Sequence, residues 1–310
     1  YFMAFLQKIL MHQILLGKLV SVEFPRIKPS PVPKVNVIPE YLVKGKQKKD
    51  YATTKLAFNV PWMGVVAMAF SNYSNFYKAL WEYMLPLSKS LEFYKLCKKL
   101  EKKSYIKAEE LNPNSIINNL KYTGYSNFEI KEISKTNDIF TVGNMPYITM
   151  ATIARVFLEN GKLLNRKGFS SNEIKRIPCR KENLLLIEEH HASADIKKVY
   201  ESIRKNIGLP FINTDYRAFA RWPSYFNIAW NNFLPILLSK EYNEKVLDIH
   251  NFIINLVLNL PNPKGISADK IIRAATKDNL KEVKRIVSLF QWLLPGLILN
   301  VACMRKQISK

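Results

Sequence analysis

The 310-residue sequence predicts a helical fold in which two tandem repeats pack together as a pseudo-two-fold dimer. The first observation is internal similarity. Sliding the chain along itself by 149 residues superposes matching residues at a constant register, including Pro61 on Pro210, Trp81 on Trp230 and Pro146 on Pro295. The second is that apolar residues recur at helical spacing in both copies. Two repeats are too few for a solenoid, so we expect the copies to pack about an approximate two-fold axis.

The repeat and the prolines divide the chain into three parts. Residues 1–45 hold an apolar stretch to Val20, which is interrupted by charged residues and too short to span a membrane, followed by a proline-rich connector. We expect an amphipathic helix docked on the body and then an extended linker. The chain begins at Tyr1, so we expect its N-terminus to be incomplete. Residues 46–185 form the first repeat and residues 186–310 the second.

A helix follows a proline in each copy. The residue before a proline is excluded from the α region, so Val60-Pro61 and Leu209-Pro210 are expected to end one segment and to open a helix. In the second copy the helix carries one stripe, made of Asp215, Ala218, Phe219, Trp222, Phe226, Ala229, Trp230 and Phe233. The equivalent stripe of the first copy is entirely apolar.

Asp215 is the one carboxylate in this stripe, and the first copy has Val66 at the equivalent position. Burial of an ionised carboxylate is costly unless the group is paired or used in chemistry. Alternatively, Asp215 follows Asn213-Thr214 into the first turn of its helix, where acidic side chains favour the helix dipole and stay solvated. The pattern leaves both interpretations open.

Asn144 shows the reciprocal asymmetry, because it falls on Leu293 in the second copy. An asparagine shortly before a proline is also a common helix N-cap, which is the alternative interpretation here. A two-fold axis would bring Asn144 and Asp215 to one interface. The two copies would then form a single polar site where symmetry alone allows two.

Three segments of the sequence resemble the group I 2-haloacid dehalogenases from about Ile38 onward. They are Leu209 to Pro223, which contains Thr-Asp-Tyr-Arg-Ala; Val60-Pro61-Trp62; and the Phe-x-x-Gly-Asn motif that ends at Asn144. The resemblance implies an all-α fold of two fused repeats and hydrolytic dehalogenation of 2-halocarboxylic acids to 2-hydroxy acids.

The resemblance also implies roles for individual residues. Asp215 would activate a water that attacks the substrate directly, and Asn144 would help to hold that water. Trp62 and Thr214 match positions of the substrate pocket between the repeats. Val65 stands where the family pattern has an aromatic residue, so the pocket is expected to be altered.

These residue types suit the reaction. Water becomes an adequate nucleophile when a general base removes its proton, which contributes roughly 10²–10⁴ in rate, and a side-chain amide offers both a donor and an acceptor to orient it. The substrate carboxylate needs a positive partner. Backbone N–H groups near Thr214 would supply one. Arg217 or Arg221 is the alternative partner, although both lie off the apolar stripe and are rather expected to be surface cations.

No motif in the sequence predicts a cofactor or a metal. The chain has 10 glycines and lacks the glycine-rich nucleotide motifs and the Gly-x-Ser-x-Gly elbow. Adjacent His190 and His191 lack the spacing of metal ligands on a helix, so we expect a polar loop or helix start there. The three cysteines, Cys97, Cys179 and Cys303, form no paired framework, which favours buried thiols and a cytoplasmic location.

The formal net charge of +22 provides a rival hypothesis, a basic nucleic-acid-binding module. The lysines are scattered in short groups, however, so we favour a solvated basic surface that attracts a small anionic 2-halo acid. A second rival is a helical protein that binds carboxylates without turnover. A homodimer is one assembly that the sequence leaves open.

Overall fold

In the computed structural model, residues 23–163, 165–170 and 184–309 are described. These residues form twelve α-helices and no β-strand, which confirms the all-α prediction. The helix predicted before Val20 lies outside the described residues. In chain order the helices are α1 (Gly45–Phe58), α2 (Val65–Ser71), α3 (Ser74–Ser88), α4 (Leu91–Leu111), α5 (Ile117–Tyr122), α6 (Asn127–Leu158), α7 (Ala194–Ile203), α8 (Thr214–Phe219), α9 (Pro223–Leu237), α10 (Lys240–Leu258), α11 (Ala268–Asp278) and α12 (Leu280–Gln307).

The helix boundaries follow the register of the sequence repeat. Helices α1, α2, α3 and α4 each begin 149 residues before α7, α8, α9 and α10. The equivalent residues Ser90 and Ser239 both cap their helices, α4 and α10, by accepting a hydrogen bond from a backbone N–H of the first turn. The similarity of the two copies is therefore a similarity of secondary structure as well as of sequence.

The contacts between helices are reciprocal. Helices α6 and α12 pack against each other, α4 packs on α12, and α10 packs on α6. Such an exchange of partners is what a two-fold relation between the copies predicts. The axis itself stays a prediction.

The predicted stripe around Asp215 is buried except for Trp222, which is partly buried, and it does not lie on one helix. Helix α8 ends at Phe219, and α9 begins at Pro223, whose ring favours the first position of a new helix. Helices α2 and α8 also begin later than Pro61 and Pro210 predict. The residues directly before α2 and α8, Gly64 and Asn213, have extended backbone conformations, so each helix starts only after them.

Asn144 does not cap a helix. Helix α6 begins much earlier, after a capping box in which Ser126 accepts from the Glu129 N–H and the Glu129 carboxylate accepts from the Ser126 N–H. The helix then continues through Pro146, although a proline in a helix interior forfeits one backbone hydrogen bond. Asn144 therefore lies in the middle of a long buried helix.

The proline-rich segment before α1 is held against the second repeat. Phe24 is buried, and its carbonyl pairs with His250 Nε2 at 2.7 Å. Burial lowers the pKa of His250 to about 4, so this imidazole is neutral near pH 7. Arg26 Nε donates to the carbonyl of Trp292, and Lys28 Nζ to that of Gly208. These bonds connect residues 24–28 to α10, to α12 and to the segment just before α8, all in the second copy.

Helix α12 is long and apolar enough in composition to cross a membrane, but 89% of its most apolar window is buried inside the protein. It also carries the buried Cys303. Cys97 on α4 is partly buried, and Cys179 lies outside the described residues.

Candidate active site

All five residues predicted for the site line one pocket. The pocket lies between α2, α6, α8 and α12 and holds about 290 Å³ of empty space, counting its open mouth. The predicted residues are Trp62, Val65, Asn144, Thr214 and Asp215. Four helices from both copies therefore contribute to a single site.

Asp215 and Asn144 are in direct contact. The Asn144 Nδ2 donates a hydrogen bond of 2.6 Å to Asp215 Oδ1, and both residues are buried, with relative exposures of 4% and 2%. The interpretation of Asp215 as a solvated residue of a first helical turn is therefore wrong. It does lie in the first turn of α8, but the turn faces the core.

Burial raises the pKa of the Asp215 carboxyl from 3.8 to about 6. Three smaller effects act in the opposite direction: the hydrogen bond from Asn144, a backbone N–H of Asp215 itself, and the positive charge of Arg217. The carboxylate is thus ionised at neutral pH and binds a proton far more readily than an ordinary aspartate. These are the properties of a general base.

Arg217 contacts the pocket residue Thr214 but does not itself line the pocket. Its Nη1 donates to Glu188 Oε1 at 2.6 Å and its Nη2 donates to the Thr214 hydroxyl at 3.3 Å. The expectation of a surface cation is wrong for Arg217, whose side chain is 16% exposed, because Glu188 neutralises it in a partly buried position. Arg221 is exposed as expected and stacks over Trp222. Neither arginine lines the pocket.

Two glycines make room for the aromatic wall of the pocket. A Cβ at Gly143 would lie 2.2 Å from Cη2 of Trp62, and a Cβ at Gly64 would lie 2.8 Å from the Tyr147 ring. The Tyr147 hydroxyl donates to the Trp62 carbonyl at 2.6 Å and fixes the two rings against each other. The glycine before Asn144 thus positions Trp62 beside the carboxylate-bearing site. Val65, next to this wall, is partly exposed.

Further residues of the pocket were not predicted. Most are apolar or aromatic and were indistinguishable in the sequence from ordinary core residues. They are Gly64, Val66, Tyr147, Asn213, Phe290, Leu294 and Leu297. Phe290, Leu294 and Leu297 recur at helical spacing, a pattern that is typical of a buried face and does not distinguish a pocket from core.

The histidine pair lies away from the pocket. His190 and His191 lie in the short 3₁₀ turn Glu189–His191, as the predicted polar loop requires. The neighbouring acidic residues pair with arginines, Glu188 with Arg217 and Glu189 with Arg204. Within the described ranges, no group of three histidine, cysteine, aspartate or glutamate side chains is placed to hold a metal.

The chain is similar in sequence to two proteins named (R)-2-haloacid dehalogenase. One, from Rhizobium sp. (strain NHG3), is 34% identical over 253 residues, which cover 81% of this chain and 98% of the relative. The other, from Pseudomonas putida, is 31% identical over 285 residues, which cover 89% of this chain and 93% of the relative. No protein-family model matches the chain.

Solved structures of D-2-haloacid dehalogenase have the same fold. A mutant in complex with D-2-CPA matches with a TM-score of 0.83 at 28% identity, covering 93% of this chain and 99% of the other. A complex with L-LA matches with a TM-score of 0.82 at 29% identity, covering 93% of this chain and 100% of the other. Given the two sequence relatives, each matched over nearly its whole length, this chain belongs to the 2-haloacid dehalogenase family.

Proposed function

We propose that this chain hydrolyses 2-halocarboxylic acids to 2-hydroxy acids at the pocket that contains Asp215 and Asn144. The observation that carries the proposal is the buried hydrogen bond between these two side chains. A carboxylate with a pKa of about 6 is mostly ionised at neutral pH, yet it still has a useful affinity for the proton of an attacking water.

In the proposed reaction, Asp215 accepts a proton from a water molecule while the water oxygen attacks C2 of the substrate. The new C–O bond forms as the carbon–halogen bond breaks, and the halide leaves with the bonding electrons. The proton then passes from Asp215 to solvent, which restores the carboxylate. Only water and side chains of this chain take part, without a metal or a cofactor.

Asn144 positions the water in this proposal. Its Nδ2–H already donates to Asp215, which fixes the amide plane relative to the carboxylate. A carboxylate offers about four lone-pair directions, so one hydrogen bond leaves room for a second donor. A water that donates to Asp215 lies beside the amide, whose oxygen is an additional acceptor that limits the rotation of the water.

The residues that line the rest of the pocket suit a small acid chemically. The substrate carboxylate lies against donors at the start of α8. These are the first-turn backbone N–H groups other than that of Asp215, which bonds to its own carboxylate, and the Thr214 hydroxyl, which accepts from Arg217 and can still donate. The alkyl group and halogen face the apolar wall formed by Trp62, Val65, Leu294 and Leu297. No arginine or lysine of the described residues lines this pocket, so backbone dipoles carry the recognition of the anion.

We further propose that the substrate is the (R) acid. Both sequence relatives are named as (R)-specific enzymes, and the solved relatives as D-specific ones. Direct displacement by water occurs on the face opposite the halide, so it inverts C2 and yields the (S)-2-hydroxy acid.

Halide release from the two enantiomers of 2-chloropropanoate tests this function. We expect release from the (R) acid by the parent protein and its loss in Asp215→Asn. The matched control is Asp195→Asn, the same substitution at an exposed position of α7, which should keep full activity. Binding of 2-hydroxypropanoate with no halide release from any tested 2-halo acid would instead identify a carboxylate-binding protein, and salt-sensitive retention on DNA without release would favour the nucleic-acid hypothesis.

A further inference from the structure

A chain of three buried polar side chains begins at the residue next to Asp215. The Tyr216 hydroxyl accepts a hydrogen bond of 2.8 Å from Asn300 Nδ2, and Asn300 Oδ1 accepts one of 2.6 Å from the Tyr242 hydroxyl. Tyr216 lies on α8, Asn300 on α12 and Tyr242 on α10, and their exposures are 0%, 2% and 6%. None of the three lines the catalytic pocket, and the proposed reaction assigns them no role.

The first repeat provides an internal reference for this chain. At the equivalent positions it has Ala67, Ala151 and Phe93, which are all buried and whose side chains cannot form hydrogen bonds. Gly296 also differs, because its equivalent is Tyr147, and a Cβ at Gly296 would lie 3.0 Å from the Tyr242 oxygen. The copy that carries Asp215 thus has a polar chain, and space for it, where the copy that carries Val66 has apolar residues.

This difference has a physical meaning. Buried hydroxyl and amide groups give up their hydrogen bonds to water, and the first repeat shows that apolar residues also fill these positions. A fully hydrogen-bonded buried chain, in return, holds the groups that it joins in one arrangement. The chain is therefore expected where the orientation of a helix matters, and α8 is the helix that carries the base.

Helix α8 has six residues, so its own backbone hydrogen bonds hold it weakly and its orientation depends on contacts with other helices. Asp215 is bonded to Asn144 on α6, and the next residue, Tyr216, is bonded to Asn300 on α12. Helix α12 also supplies Leu297 to the pocket wall, one turn before Asn300. Two consecutive residues therefore fix the rotation of α8 between the long helices of the two copies.

We propose that Asn300, acting through Tyr216, is a positioning residue for Asp215. Asn300 fixes the rotation of α8, and the Tyr242 hydroxyl fixes the amide of Asn300. The Asp215 carboxylate is thereby kept within hydrogen-bonding distance of Asn144, where the two groups hold the attacking water. The inference rests on the proposed function for the role of that water, but the placement of Asp215 against Asn144 is measurable without turnover.

The titration of the Asp215 carboxyl reports its contact with Asn144. It is followed by ¹³C NMR and assigned through its absence in Asp215→Asn, with a midpoint of about 6 expected in the parent. Tyr216→Phe keeps the ring but removes the bond to Asn300, so α8 is free to rotate. Because the bond from Asn144 favours the charged carboxylate, its weakening should raise the midpoint by about 0.5 or more. Misplacement of the base should also lower kcat roughly tenfold or more.

Tyr242→Phe tests the far end of the chain with a residue that is already buried at the equivalent position of the first copy. The charged or titratable groups near Asp215 are Arg217 with its partner Glu188, and the buried tyrosines Tyr147 and Tyr216. The variant leaves all of them unchanged, so we expect a rise of the Asp215 midpoint that is transmitted through Asn300. The double variant should resemble Tyr216→Phe alone, because both substitutions interrupt one chain.

Tyr83→Phe is the matched control. The Tyr83 hydroxyl donates to the Pro261 carbonyl at 2.9 Å, and the residue is 2% exposed on α3. This variant also loses one buried hydrogen bond, so its urea midpoint of unfolding should fall as in the test variants. Its Asp215 titration and its kcat should equal those of the parent.

The proposal is overturned if Tyr216→Phe behaves like Tyr83→Phe, with a lower urea midpoint but an unchanged Asp215 titration and kcat. The chain would then support the fold alone. A shift in Tyr216→Phe but not in Tyr242→Phe would overturn the part assigned to Tyr242, and if Tyr216→Phe does not fold, Tyr242→Phe decides between the two outcomes. A parent that releases no halide from any 2-halo acid would refute the proposed function, whereas the titrations would still decide whether Asn300 positions Asp215.

Discussion

The amide of Asn144 in the first repeat donates a 2.6 Å hydrogen bond to the carboxylate of Asp215 in the second. At the equivalent positions of the opposite copies, Leu293 and Val66 are buried apolar residues. At one pair of equivalent positions the first repeat has Asn144 and the second has Leu293. At the other pair the first repeat has Val66 and the second has Asp215. Asn144 and Asp215 are thus two polar side chains in contact, while their equivalents are both buried and apolar.

The pH dependence of turnover should report the raised pKa of Asp215. The proposed base acts only when deprotonated, so kcat/KM should rise with pH around a midpoint of about 6. Asn144→Ala removes the hydrogen bond that lowers this pKa, so its midpoint should move upward while its kcat falls. The measurement is a pH profile of halide release by both proteins. A midpoint near the ordinary aspartate value of 3.8 would contradict the assignment.

Asp215→Asn should stabilise the protein at neutral pH. The folded-state pKa of about 6 lies above the ordinary 3.8, so the folded state of the parent binds more protons than the unfolded state between these values. The parent therefore loses stability as the pH rises through this window, by roughly 3 kcal/mol in total. The uncharged variant avoids that loss. Urea unfolding should show the variant more stable at pH 8, with the difference vanishing towards pH 4; a less stable variant at pH 8 would show that the buried charge is not costly.

Val66→Asp should not create a second active site. Val66 is 3% exposed, so the new carboxylate would be buried, and its equivalent partner Leu293 cannot hydrogen-bond to it. We expect a loss of a few kcal/mol in unfolding free energy and no additional halide release. Val142→Asp, the same change at a position that is 51% exposed, is the control and should be nearly neutral. A Val66→Asp protein as stable as its parent would mean that the apolar face of α2 is not core.

Gly143→Ala should disturb the pocket through Trp62. Alanine normally stabilises a helix interior by up to about 1 kcal/mol relative to glycine. Here its Cβ would lie 2.2 Å from the indole, which is packed on Phe140 and Tyr147 and cannot move freely. We expect lower stability and a raised KM, measured by urea unfolding and halide release. Gly168→Ala, which meets nothing within 4 Å, should change neither quantity.

The sequence predicted the pairing of Asp215 with Asn144 because each is a polar exception at a position where the other copy is apolar. It did not predict Tyr147, Leu294 or Leu297 as pocket residues, since an apolar side chain has the same pattern whether it faces the core or a substrate. Asn213 was seen only as part of the segment before Asp215. Its contribution depends on the extended backbone before α8, which the local sequence does not determine.

The helix boundaries were the other difference between expectation and structure. The stripe around Asp215 satisfied a helical period across residues 215–233, but Pro223 starts a new helix within it. Pro146, in contrast, does not end or start a helix, because α6 continues through it. A proline signals a missing N–H, and tertiary packing decides whether the helix tolerates that loss. Periodicity therefore identified the buried faces correctly without locating where the helices end.

Isotope labelling in a first turnover should distinguish a water activated by Asp215 from an ester formed on Asp215. Both routes require the aspartate, so loss of activity in Asp215→Asn does not separate them. The contact with Asn144 favours direct attack, because an amide beside the carboxylate is useful for orienting a water in the displacement step.

With enzyme in excess over (R)-2-chloropropanoate in ¹⁸O-water, direct attack places ¹⁸O in the hydroxyl group of the first product molecules and inverts C2. An ester route would instead transfer an unlabelled carboxylate oxygen to the first product and leave ¹⁸O in Asp215. Mass spectrometry of the hydroxy acid and of the peptide that contains Asp215 measures both quantities. We expect labelled product and an unlabelled peptide. Unlabelled first product together with a labelled peptide would make Asp215 the nucleophile and would leave Asn144 a partner of the carboxylate rather than of water.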